Sequence, residues 1–156
     1  MSRTFRIGTR GLIHLCLILC IPMAAGSGPA QIVHVVRNDM GGRIDRRAAL
    51  VETLRARGDR VEIRGRVCLS SCTLFLGAHD VCVGRDTVFG FHGPSLWGLP
   101  LDHPSFEYWS KVIASHYTPV LRDWYLEVAR HRLHGYHRLS GRQMIELGYE
   151  PCRNDP

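Results

Sequence analysis

Between Gln31 and Phe91 the chain alternates two kinds of apolar pattern, and this alternation restricts the fold more than any other feature. Gln31 to Arg37 carries Ile32, Val33, Val35 and Val36 in a nearly unbroken β-branched run, the pattern of a buried strand. Asn38 to Gly42 reads as a turn. Arg43 to Arg57 then places Ile44, Ala48, Val51 and Leu54 at helical spacing, and Gly58-Asp59 stops the helix. Val61 to Arg64 alternates apolar and charged residues, as a half-exposed strand does. A serine-bearing turn follows Gly65, with Cys72 to Ala78 as a short buried helix and Val81 to Val83 and Thr87 to Phe91 as short strands. Strand, helix, strand, helix, strand in this order predicts an α/β fold with mostly parallel pairing and right-handed crossovers.

The C-terminal half reads as helical. Gly93 to Pro104 is a loop rich in Gly and Pro, holding Trp97 and Leu99. Pro104 to Tyr117 and Pro119 to Arg132 are amphipathic, and their aromatic residues Phe106, Tyr108, Trp109, Tyr117, Trp124 and Tyr125 fit a core face. Ser140 is placed to cap a last helix that Gly148 closes. His79, His103, His116, His131 and His134 have no distinguishing context and read as surface or loop residues.

The first 26 residues read as a leader rather than as part of the domain. Arg3, Arg6 and Arg10 precede an apolar run from Leu12 to Met23, and Ala24-Ala25-Gly26-Ser27 supplies the small residues of a cleavage site. An uncleaved membrane anchor is the competing reading, although spanning a bilayer takes roughly 20 apolar residues. The domain is then residues 27–156. Without the three leader arginines the twenty basic residues become seventeen against fourteen acids, a net charge of +3 instead of +6. So mild and scattered a charge gives no footprint for nucleic acid. Cys16 and Cys20 leave with the leader, and Cys68, Cys72, Cys82 and Cys152 remain. Four cysteines in an exported chain suggest two disulfides in any of three connectivities, Cys82 with Cys152 among them, and a periplasmic or secreted location.

Chemistry concentrates in three places. Cys68-Leu69-Ser70-Ser71-Cys72 presents a serine at the start of an apolar segment, and Phe91-His92-Gly93-Pro94 brings a histidine to a strand end. Serine needs an adjacent base to act as a nucleophile, so this pair is the minimum for acyl chemistry. Asn38-Asp39-Met40-Gly41-Gly42 offers backbone N–H groups unobstructed by side chains. Plainer readings stand beside these. Ser70 fits a helix N-cap, His92 a buried, hydrogen-bonded core residue, and Cys68 and Cys72 with a distal histidine fit a soft-metal or redox site.

In that order and spacing, the three segments resemble the ClpP/crotonase superfamily, and within it small exported relatives of the Clp protease proteolytic subunit. Arg138-Leu139-Ser140 through Leu147-Gly148-Tyr149 resembles a further family segment, so the likeness runs from about residue 31 to residue 150. It implies a ClpP/crotonase-like fold with Ser70 as nucleophile and His92 as general base. The Ser71 N–H and a Gly41 or Gly42 N–H would hold the oxyanion. It also implies homo-oligomers and a small peptide or ester substrate, with no cofactor and no metal. An ATP-dependent unfoldase is not expected outside the cytoplasm. The family's third catalytic residue, an aspartate, has no counterpart: Gly135-Tyr136-His137-Arg138 fills its place, with Tyr136, or else His137, in register. Asp102 or Asp123 could supply an acid from elsewhere. The chain therefore reads as an exported serine hydrolase using Ser70 and His92, with Tyr136 in the third position. The alternative is an inactive binding or assembly module that keeps the geometry and is held by disulfides.

Overall fold

The computed structural model describes residues 31–153, so the expected leader, with Cys16 and Cys20, lies outside the described residues. The elements are β1 (Val33–Val36), α1 (Ile44–Arg57), β2 (Arg60–Ile63) and β3 (Val67–Leu69), then a 3₁₀-helix, Ser70–Gly77. They continue with β4 (Asp80–Val83), β5 (Val88–Phe91), β6 (Ser95–Leu96), β7 (Leu99–Pro100), α2 (His103–Ala114) and α3 (Pro119–Glu127). A 3₁₀ turn at Ala129–His131 leads to β8 (His137–Ser140), α4 (Gly141–Glu146) and β9 (Glu150–Pro151).

Two sheets share seven of these strands, and β6 and β7 pair separately as a hairpin. β1, β2, β4 and β9 form a four-stranded sheet in that order, with every neighbour parallel. β3, β5 and β8 form the second, in which β3 runs parallel to β5 and β8 antiparallel to it. The chain passes from the first sheet to the second between β2 and β3, with no helix between them. Gly65 makes that passage possible: a Cβ there would lie 2.1 Å from the Asn38 backbone nitrogen, so no side chain fits. The passage lays β3 beside Asp39 and points its end at the serine turn.

The local reasons are those of the sequence. Helical spacing turns Val51 and Leu54 of α1 into the core, and Gly58, at φ +69°, ends the helix by returning its N–H to the Arg55 and Leu54 carbonyls. In β2 the alternation puts Val61 and Ile63 fully inside, while Arg60 and Glu62 pair on the half-exposed face. Ser140 caps α4 in a reciprocal capping box with Gln143, and Gly148 follows at φ +96°. Leu74 and Phe75 of the 3₁₀-helix, Phe89 and Phe91 of β5, Leu121 and Tyr125 of α3, and Met144 of α4 complete one core. Truncating Phe75 to alanine should cost about 3–5 kcal/mol.

Several expectations are corrected. β1 is an edge strand: Val33 and Val35 are 48% and 42% exposed, and only Val36 is buried. The run lacks the alternation of a one-sided strand, yet β1 is paired on one side only. β3, β8 and β9 were not legible as strands, and the expected loop after Gly93 contains the β6–β7 hairpin. The second amphipathic stretch stops as an α-helix at Glu127. His116 is buried against Gly77, with its Nδ1 2.9 Å from the Val112 carbonyl oxygen.

The four remaining cysteines pair as Cys68–Cys72 and Cys82–Cys152, which selects one of the three connectivities. Among the described residues no helix is long and apolar enough to cross a membrane.

Candidate active site

β3 runs into the 3₁₀-helix through Ser70, which takes a left-handed backbone, φ +55°. This is unfavourable for a residue with a side chain, by roughly 1–2 kcal/mol, and the surroundings hold it there. Cys68 and Cys72 are joined across the turn. Thr73 Oγ1 donates to the Ser70 carbonyl (2.7 Å), and the buried Tyr117 hydroxyl in turn donates to Thr73 Oγ1 (2.6 Å). The capping reading of Ser70 does not hold: Leu69 occupies the N-cap position, and the helix start has no side-chain cap. Instead Ser70 Oγ lies 2.7 Å from His92 Nε2. Among the described residues, the other non-glycine residues with positive φ are Asn38 (φ +42°), at the start of the turn that ends in Gly42, and Trp97 (φ +55°), which lines the same cleft as Ser70. Strain of this kind collects at functional sites.

His92 follows the last residue of β5, and its backbone is fixed from two sides. The Tyr125 hydroxyl donates to the His92 carbonyl (3.3 Å), and the next N–H, of Gly93, donates to the Arg132 carbonyl (2.9 Å). A Cβ on Gly93 would lie 1.9 Å from the Arg130 carbonyl oxygen, so the strand end packs directly on backbone. Burial pushes the His92 imidazole below its ordinary value, partly opposed by a hydrogen bond with the Gly93 backbone. The ring is therefore neutral at pH 7 and able to accept a proton from Ser70.

Tyr136, in register with the family's third catalytic residue, meets His92 through its ring. Its ring stands edge-on to His92, centroids 5.3 Å apart at 76°, and rests on Gly90, where a Cβ would meet it at 3.0 Å. The contact is ring against ring, and the hydrogen bonds of the His92 ring are to Ser70 and to the Gly93 backbone. His137 lies edge-on to Trp124 instead. Asp102 caps α2 by accepting from the Ser105 N–H (3.0 Å), and Asp123 pairs with Arg122 on an exposed face. Among the described residues no carboxylate pairs with His92.

The glycine turn lies directly on the serine. A Cβ on Gly41, whose φ is +102°, would stand 2.5 Å from Ser70 Cβ, so only glycine allows the approach. The Gly41 N–H is already taken, donating to Asp39 Oδ1 (2.8 Å). That leaves the Gly42 N–H, at φ +150° beside the cleft, as the donor this turn can offer. Ser71, buried and next to Ser70, has its N–H in the first turn of the 3₁₀-helix, where no intrahelical acceptor is available. Its Oγ is buried with no hydrogen-bond partner among the described residues.

These groups open onto a cleft of about 660 Å³ with a largely apolar wall of Leu74, Leu96, Leu101, Trp109, Ile113 and Tyr117. Trp97, at the tip of the β6–β7 hairpin, lines it while 93% exposed. Sequence reading assigned Trp109, Tyr117 and Tyr125 to the core, and it gave no role to the Asp39 side chain, Thr73 or the hairpin. An Asx residue two positions before a glycine and a threonine three after a turn serine are the local signals that mark the first two. Because Cys68 and Cys72 are bonded to each other, neither offers a thiolate to a soft metal. Comparison of the chain with protein-family models, with curated proteins and with solved structures finds no match.

Proposed function

We propose that this chain is a serine hydrolase of ClpP/crotonase-like architecture that cleaves peptide or ester bonds bearing an apolar group. The observation that carries the reading is the 2.7 Å contact between Ser70 Oγ and His92 Nε2, made by a serine in a left-handed backbone. Such a placement exposes the nucleophile at a sharp strand-to-helix turn, the device other serine hydrolases use. Ser70 Oγ attacks the substrate carbonyl carbon while its proton passes to His92 Nε2. The C–O π pair moves onto oxygen, where the Gly42 and Ser71 N–H groups meet it. Collapse breaks the bond to the leaving amine or alcohol, which takes the proton from His92, and water releases the acyl group by the same route. The apolar wall of the cleft suits an aliphatic or aromatic side chain or acyl group.

The lack of a carboxylate beside His92 among the described residues sets the expected speed. Burial that keeps His92 neutral also disfavours the imidazolium formed in each step, and no carboxylate of the described residues compensates. Neutralising the acid of a worked serine-protease triad lowers kcat about 10⁴-fold, so turnover is slow. The same observation favours the second reading, an inactive module that retains the turn. Two disulfides suit an oxidising compartment, periplasm or exterior. The family resemblance implies homo-oligomers, and no unfoldase, nucleic acid or cofactor is expected. Hydrolysis of p-nitrophenyl esters of increasing chain length separates the two readings. The hydrolase gives turnover that rises from acetate to butyrate or beyond and disappears in Ser70→Ala. The module gives rates equal to those of Ser70→Ala throughout.

A further inference from the structure

The Gly41–Gly42 turn has little of its own to hold it. Two successive glycines have the widest conformational choice of any pair, and Met40 before them is 63% exposed. Yet Gly41 must sit against Ser70 with no room for a side chain. The group that fixes it is the carboxylate of Asp39. Oδ1 accepts the Gly41 N–H at 2.8 Å, and Oδ2 pairs with Arg47 Nη1 of α1 at 2.7 Å, both side chains less than one-fifth exposed. The Asp39 backbone is bound as well. Its N–H donates to the Val67 carbonyl (3.1 Å), and its carbonyl accepts from the Leu69 N–H (2.8 Å), the residue before Ser70. Arg47 is itself held, with its guanidinium 4.5 Å over the ring of Phe75 in the helix that Ser70 begins. One residue thus ties the glycine turn, the strand leading to the serine, and α1 together.

We propose that Asp39, clamped by Arg47, is a positioning residue that aims the Gly42 N–H at the oxyanion formed on Ser70's substrate. The proposal rests on the hydrolase reading above. Neither residue lines the cleft onto which Ser70 opens. Asp39 acts through a turn whose donor matters only once charge has moved onto the carbonyl oxygen, so its loss should lower kcat and leave KM alone. Deleting an oxyanion donor outright costs on the order of 10²–10³ in kcat, and misaiming one should cost about 10- to 100-fold.

The test is steady-state hydrolysis of p-nitrophenyl butyrate by Asp39→Ala, Asp39→Asn and Arg47→Gln, with proton exchange of the Gly41 amide followed by NMR. Asp39→Ala should lower kcat about 10- to 100-fold with KM within about twofold. Asp39→Asn, whose amide oxygen still accepts the Gly41 N–H, should recover most of that. Arg47→Gln, which leaves the carboxylate unclamped, should fall between them, and it carries the test if Asp39→Ala does not fold. The Gly41 amide should be protected in the unaltered protein and in Asp39→Asn, and exposed in Asp39→Ala. Unchanged kcat in the folded variants, a loss confined to KM, or an unprotected Gly41 amide in the unaltered protein overturns the proposal. If the unaltered protein protects the Gly41 amide through Asp39 but hydrolyses no faster than Ser70→Ala, the hydrolase reading fails. The proposed catalytic role of Asp39 falls with it, while its hold on the turn stands.

Discussion

The two disulfides tie the chain over very different ranges. Cys82–Cys152 joins positions 70 residues apart, fastening β4 to the C-terminal segment, while Cys68–Cys72 joins positions four apart around Ser70. In the chain-entropy account the long bridge stabilises by about 4 kcal/mol and the short one by about 2 kcal/mol. The short bridge is also fully buried at both cysteines, and it joins β3 to a 3₁₀-helix already packed by Leu74 and Phe75. Its greater consequence is local, because it brackets the one residue of that turn whose backbone is left-handed. The long bridge secures the fold and the short one the shape of the serine turn. A domain of this size gains from both, since its core alone is modest.

The sharpest way to test this division is to disturb the serine turn without touching either bridge. Gly41→Ala places a methyl group 2.5 Å from Ser70 Cβ and strains a φ of +102°. Ester hydrolysis should fall by on the order of 100-fold or more, comparable to losing an oxyanion donor. A variant that folds and hydrolyses normally would show that the glycine turn does not shape the site. Next is the long bridge: Cys82→Ala with Cys152→Ala should lower the melting temperature by roughly 10–20 °C. Hydrolysis per folded molecule should stay unchanged, as calorimetry beside an active-site titration would reveal.

Cys68→Ala with Cys72→Ala should reverse that ratio, with roughly half the loss of stability and slower hydrolysis per folded molecule. If both double variants lose stability alone, the short bridge has no role in shaping the site. The smallest effect concerns Tyr136. Because its contact with His92 is ring against ring, Tyr136→Phe should keep kcat within about twofold, and Tyr136→Ala should lower it several-fold. Equal losses in both would show that the Tyr136 hydroxyl, and not its ring, orients His92.

How much of this was legible beforehand follows physical lines. α1, β2 and α4 were read from helical spacing, alternation and capping residues, all of which act over a few residues and survive in the sequence. β8 was not, because His137-Arg138-Leu139-Ser140 has no strand pattern of its own and becomes a strand only by pairing with β5. The proximity of Ser70, His92 and the glycine turn followed from three short motifs in order. The state of the Gly41 N–H did not, since it depends on one Asp39 rotamer. Tyr136 was placed at the right ring by register, but the contact it makes there is a matter of packing. The cleft's apolar wall draws on the 3₁₀-helix, the hairpin and α2, and no linear pattern joins those.

The central claim is that His92 activates Ser70, and a fluorophosphonate probe on the oxidised, folded protein tests it most directly, with the adduct located by peptide mass spectrometry. Burial holds the His92 pKa below its ordinary 6.5, so the neutral base is already present at pH 6.5 and is lost as pH falls through the lowered value. Labelling should occur at Ser70, reach its plateau by about pH 7 and decline toward acid, and be abolished by Ser70→Ala and by His92→Ala. Absence of an adduct at Ser70 across that pH range, or labelling that survives His92→Ala undiminished, would contradict it.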